Sequence, residues 1–233
     1  MIAQLMRRGC QGGGRIPSVS LLLGSLAVPA FLLSWCGTAL EYSRQALAGG
    51  EFWRLVTCHW THFSSDVFLW DLVAFVFLGA ACERRDRQSY LVCLGAAAFL
   101  IPAVIWIFMP GLDFYRGLSG LDSALFGLLT VTLLREGIES GDRRRIVSVA
   151  FFTLFFLGKV TWETVGGGAV FAASTGTGVV PIPLAHAVGL AIGIATGLKM
   201  KVPGRRLRGL PSSPRTGEPG FMRSSRPLRK GGR

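Results

Sequence analysis

Apolar residues arrive in six long runs separated by short polar stretches: about Ser18 to Trp35, Val67–Cys82, Tyr90–Phe108, 118–134, Ile146–Thr164 and Pro181–Leu198. Crossing about 30 Å of hydrocarbon as a helix takes roughly 20 residues, so the pattern predicts a compact all-α bundle of six transmembrane helices over residues 18–198. Met109-Pro110-Gly111 breaks the chain after the third run. Pro181 and Pro183 fit the first turn of the sixth, where a missing N–H costs nothing. Residues 37–65 read as an amphipathic connection with Trp53 and Trp60 at headgroup level, and residues 165–180, rich in Gly, Thr and Ser, as a loop. Residues 1–17 form a basic N-terminal segment. Residues 199–233, rich in Pro, Gly, Ser and Arg, are expected to be a disordered tail. The basic start and first apolar run could be a signal peptide, but the run is long and no small-x-small cleavage site directly follows it, which favours a retained helix.

Composition supports the membrane reading. Half the residues are hydrophobic and 16% are charged, against about a quarter charged in soluble domains. The net charge of +12 sits mostly after Leu198 and in short loops, as in polytopic membrane proteins. No aromatic-interleaved basic face accompanies it, which argues against nucleic acid. With the N-terminus inside, 21 of the 25 Lys and Arg lie on the cytoplasmic side. The positive-inside rule therefore selects an inner (cytoplasmic) membrane protein with both termini cytoplasmic. The basic tail is suited to anionic lipid. Five scattered cysteines without a C-x-x-C pair read as apolar fillers.

In this orientation the fourth and sixth runs both begin at the outer face. That places Ser119, in Gly117-Leu118-Ser119-Gly120, and His186 at equal depth. A serine hydroxyl becomes a nucleophile when a base takes its proton, and histidine is the usual base. Close approach of two membrane helices needs small residues. Gly117, Gly120, Ala124 and Gly127 supply them on one run, Gly189, Gly193 and Gly197 on the other. Such glycines also serve plain helix packing, while an ionisable side chain inside a span is rare and usually functional. Both readings, packing and catalysis, stand open on these features.

Trp53-Arg54, the Gly-Leu-Ser-Gly opening the fourth run and His-x-x-Gly-x-x-x-Gly in the sixth resemble the rhomboid intramembrane serine proteases over about residues 48–198. The segments 118–126 and 179–186, with the Lys159…Glu163 pair, resemble the rhombosortase branch. The resemblance implies a Ser119–His186 dyad without a third member, no cofactor, and membrane-anchored protein substrates. For the rhombosortase branch these carry a C-terminal Gly-Gly-type sorting anchor. It also implies a His and an Asn in the second span that donate to the oxyanion. An ungapped count places these on Val67 and Asp71. An ionised Asp71 cannot donate, and losing one such donor costs about 10²–10³ in turnover. The Ser119 N–H, His62, His59 or a protonated Asp71 are the substitutes, beside Gly117 as a substrate-site residue. The alternative is a catalytically inactive relative that binds single-span clients; a small transporter using Lys159, Glu163 and Asp122 is a third reading.

The remaining polar residues have structural readings. Lys159 and Glu163, four apart, suit an ion pair on one helix face. Asp122 is placed to orient a water, Ser123 or Arg116, and Arg54 to tie the outer loop to carbonyls or lipid phosphates. His59 and His62 have no third ligand at metal-site spacing.

Overall fold

The computed structural model describes residues 16–36, 39–166 and 182–200. Most of the basic N-terminal segment, the Gly/Thr-rich stretch from 167 onward and nearly all of the tail lie outside these. So does the Glu163 side chain, and with it the expected pair with Lys159.

Six long helices form the bundle among the described residues. They are α1 (Ser18–Cys36), α4 (Ser65–Arg85), α5 (Arg87–Phe108), α6 (Ser119–Ser140), α7 (Arg143–Gly166) and α8 (Pro183–Lys199). Three are long and apolar enough to cross a membrane: Ser65–Arg85, Arg87–Phe108 and Arg143–Trp162. Ser18–Leu33 and Pro183–Lys199 are shorter apolar segments. Helix α6 packs Leu121, Leu125 and Leu128 into the interior, against a core that includes Phe75, Tyr90, Ile101 and Ile105.

Two connections expected as loops are nearly absent. Helix α4 continues through Arg85 and α5 begins at Arg87, leaving Asp86 between them. Asp86 caps α5 by accepting from the Gln88 N–H at 3.0 Å and the Ser89 hydroxyl at 2.6 Å. Glu83, read from its charge as part of a loop, is buried in the last turn of α4. It accepts the Val19 N–H at 3.1 Å and both the N–H and hydroxyl of Ser20 at 2.8 Å. Those amides are the orphan donors of α1's first turn, at the positive end of its dipole. A carboxylate so satisfied need not end its own helix.

The stretch Arg135–Arg145, also expected as a loop, is helical apart from a turn at Gly141, whose φ of +66° suits a left-handed helix end. Arg135 turns inward instead and donates to the carbonyls of Gly197, Leu198 and Met200 at 3.0, 3.3 and 2.9 Å, closing the C-terminus of α8. Glu136 pairs with Arg145 at 2.9 Å and with Arg85 at 3.5 Å.

Between α1 and α4 the chain forms β1 (Tyr42–Ser43), the short helices α2 (Arg44–Ala48) and α3 (Arg54–Thr57), and a 3-10 turn, Cys58–Trp60. Strand β1 pairs antiparallel with β2 (Phe114–Tyr115), Tyr42 opposite Tyr115. Buried Arg54 ties this connection together, donating to the Glu41 carbonyl at 2.9 Å and the Glu51 carboxylate at 2.7 Å. Arg44 donates to the carbonyls of Trp106 and Met109 at the end of α5. The connection thereby holds β2, the segment leading into α6.

Helices α6 and α8 meet backbone to backbone. A Cβ on Gly189 would strike the Gly120 carbonyl, and one on Gly193 the Ala124 carbonyl. A Cβ on Gly127 would lie 2.8 Å from the Leu190 carbonyl, and one on Gly197 2.9 Å from Val131 Cβ. Glycine is required along this seam because the neighbouring backbone fills the space of a side chain.

Candidate active site

Ser119 is the first residue of α6 and is half-buried. The turn that delivers it passes through Gly117 at φ +129°, a conformation that L side chains rarely adopt. The Gly117 N–H donates to the Cys58 carbonyl at 3.2 Å. The Tyr115 hydroxyl donates to the Gly117 carbonyl at 3.4 Å, and burial pushes that phenol well above its ordinary range, so it stays a donor. A methyl group placed on Gly117 would lie 3.8 Å from Asp71 Oδ2, 3.9 Å from His62 Nε2 and 3.9 Å from Ser119 Oγ. Three polar atoms therefore border the same small space in front of the Gly117 α-carbon.

His62, at the foot of α4, is buried. Its Nε2 stands 3.3 Å from Asp71 Oδ2 and 3.3 Å from the Leu118 amide nitrogen. The amide needs an acceptor there and an ionised carboxylate needs a donor, so one ring nitrogen serves one of them at a time. Phe31 and Phe68 close around the ring, at centroid distances of 6.4 and 5.1 Å. Val67, where the ungapped count placed a histidine, is half-buried in the first turn of α4.

His186 lies in the first turn of α8 and is 7% exposed. Its Nδ1 is 3.0 Å from the hydroxyl of Ser123, one turn into α6 from Ser119. Ser123 Oγ in turn donates to the backbone carbonyl of Ser119 at 2.8 Å. The residue that contacts the imidazole is thus one that the search for chemistry passed over. Its signal was the four-residue interval from Ser119, which puts both side chains on one helix face.

The structure reassigns several candidates. Arg116 forms an ion pair with Glu41 and stacks 4.6 Å over Phe63, so Asp122 does not take it as a partner. Asp122 is buried, with Oδ1 lacking a hydrogen-bond partner among the described residues. His59 is withdrawn as an oxyanion donor. It is fully buried, and its Nε2–H donates to the Ala98 carbonyl at 3.1 Å. Burial, outweighing backbone hydrogen bonds that act the other way, lowers its pKa to about 4 and keeps the ring neutral. Among the described residues, no three His, Cys, Asp or Glu side chains gather as a metal site would require.

A hydroxyl at a helix mouth, an imidazole on the abutting helix and a polar pocket under the first turn are parts that acyl transfer uses. Residues 49–202, taking in every element from α3 to α8, match the Rhomboid domain. The chain belongs to the rhomboid family. Rhomboid proteins are generally serine intramembrane proteases acting on membrane proteins in the bilayer, and this one is a multi-pass membrane protein. Helix α1 precedes the rhomboid match and is joined to it through Glu83.

Proposed function

We propose that this rhomboid is an active serine endopeptidase in which Ser119 is the nucleophile and His186 the general base. The observation that carries the reading is the glycine seam. It brings the mouths of α6 and α8 together closely enough for His186 to reach the Ser119 turn. In the first step the Ser119 Oγ proton passes to the imidazole as Oγ bonds to the scissile carbonyl carbon, whose π electrons move onto oxygen. The intermediate collapses, the imidazolium gives its proton to the departing amine, and the C–N bond breaks. Water, deprotonated by the same ring, then releases the acyl group and restores Ser119. The space bordered by Gly117, His62 and Asp71 is the candidate for the oxyanion. The free N–H groups of α6's first turn would serve it, joined by His62 when its Nε2–H is given up by Asp71 Oδ2, 3.3 Å away.

Six spans with both termini cytoplasmic, in an inner membrane, fit the distribution of Lys and Arg, and put Ser119 near the outer surface. Rhombosortase-like removal of a C-terminal Gly-Gly-type anchor is the substrate class favoured by the segments 118–126 and 179–186. Ser119→Ala should abolish processing of a co-expressed anchored substrate while the protein accumulates normally; unchanged processing removes the proposal.

Asp71 favours a second reading, a non-catalytic rhomboid that binds single-span clients. A carboxylate beside the oxyanion site opposes the charge that peptide hydrolysis develops. Covalent labelling of Ser119 by a fluorophosphonate, lost in His186→Ala, decides against it.

A further inference from the structure

We propose that Ser123 is a positioning residue that holds the His186 ring with its proton on Nδ1, making Nε2 the base. The inference rests on the protease reading above and on hydrogen-bond accounting at one hydroxyl. Ser123 Oγ owns a single proton. That proton is directed at the Ser119 carbonyl, 2.8 Å away, and a carbonyl oxygen can only accept. Toward His186, 3.0 Å away, the same oxygen must then act as acceptor, so Nδ1 is the protonated nitrogen. The nitrogen on the far side of the ring carries the lone pair.

The order of the contacts gives Ser123 the part that a carboxylate plays in a Ser-His-Asp triad. It fixes the tautomer and accepts from the imidazolium when that forms. Donation to the Ser119 carbonyl polarises the Ser123 oxygen and improves it as an acceptor. Ser123 is not the nucleophile itself. Its surface is 0% exposed and its proton is committed to the turn below, whereas Ser119 is half-exposed at the helix mouth. The glycine seam lets a short serine reach the ring, because the backbones of α6 and α8 are in contact on either side of it.

The test reads the tautomer directly, by nitrogen-15 NMR of histidine-labelled full-length protein in detergent, with His186→Asn assigning the signal. Wild type should show Nδ1 protonated and Nε2 bare. In Ser123→Ala the balance should move toward Nε2–H. Fluorophosphonate labelling should fall on the order of 10²-fold, less than the roughly 10⁴ lost when a carboxylate orienter is replaced. Ser123→Thr, which keeps the hydroxyl, should restore both. A wild-type ring protonated on Nε2, or a Ser123→Ala protein with unchanged tautomer and labelling, overturns the assignment. Labelling that survives Ser119→Ala overturns the protease reading itself. The tautomer, read on a protein performing no reaction, separates that failure from a failure of the Ser123 role.

Discussion

Helix α6 has two faces built on opposite principles. Toward α8 it offers glycine and alanine, and the two backbones touch at Gly120, Ala124 and Gly127. Toward α4 and α7 it offers Phe126, Leu129 and Leu133, which with Phe77 and Phe152 line an apolar cleft of about 220 Å³. The first face has no slack, because carbonyl oxygens occupy the places of missing side chains. The second meets its neighbours through side chains alone, as in the stacked pair Phe126–Phe156 at 4.4 Å. The tight face also carries Ser119 and Ser123 and meets His186 of α8. A hydrogen bond of 3.0 Å between helices needs backbones that cannot drift, whereas the ion pairs of Glu136 with Arg85 and Arg145 at the far end of the loose face are made by long side chains that can follow a shift.

Filling the tight face should therefore do the most damage. Gly193→Val would drive a branched side chain into the Ala124 carbonyl. Overpacking of this kind costs typically 1–3 kcal/mol. With backbone rather than a flexible side chain as the obstacle, the expected loss is about 3 kcal/mol or more, with no fluorophosphonate labelling. Thermal unfolding in detergent checks it, and a variant as stable as wild type would mean the helices can separate.

A middle-sized effect should come from acid, at the turn that leads into α6. There His59 packs edge-on against Tyr115, centroids 5.9 Å apart, beneath the turn that delivers Ser119. The folded pKa of about 4 lies below the ordinary 6.5, burial being the main cause. Between those values the unfolded chain binds the proton and the folded one does not. Stability should thus fall as pH drops through 6.5 and level off below about 4, by about 3 kcal/mol in all. His59→Gln, less stable at pH 7, should lose this part of the pH dependence when melting is followed from pH 7 to 4.

The smallest effect belongs to the loose face. Phe152 is 41% exposed and borders the cleft. Phe152→Ala should change stability by under about 1 kcal/mol and leave labelling intact. A loss as large as that of Gly193→Val would erase the distinction between the two faces.

The helices were legible from the chain because apolar length is a coarse and reliable signal. The ends were not. Glu83 and Arg135 look like loop residues by charge, and each is spent instead on the terminus of another helix, a pairing that depends on tertiary position. The two-residue strands β1 and β2 are too short to show any alternation. At the site, Ser119, His186, His62, Asp71 and Gly117 could be named from motif and depth. Ser123 was marked only by its interval of four from Ser119, within a run of small residues that otherwise carries no distinguishing pattern.

The clamp on α1 has a consequence for how the protein is made. The amide of Ser20 finds its carboxylate 63 residues further along the chain. A ribosome therefore delivers α1 with its leading turn still unsealed, and the seal arrives only when the last turn of α4 has emerged. A helix made earlier is finished by one made later, so any factor that stalls translation between them leaves α1 with an open polar end.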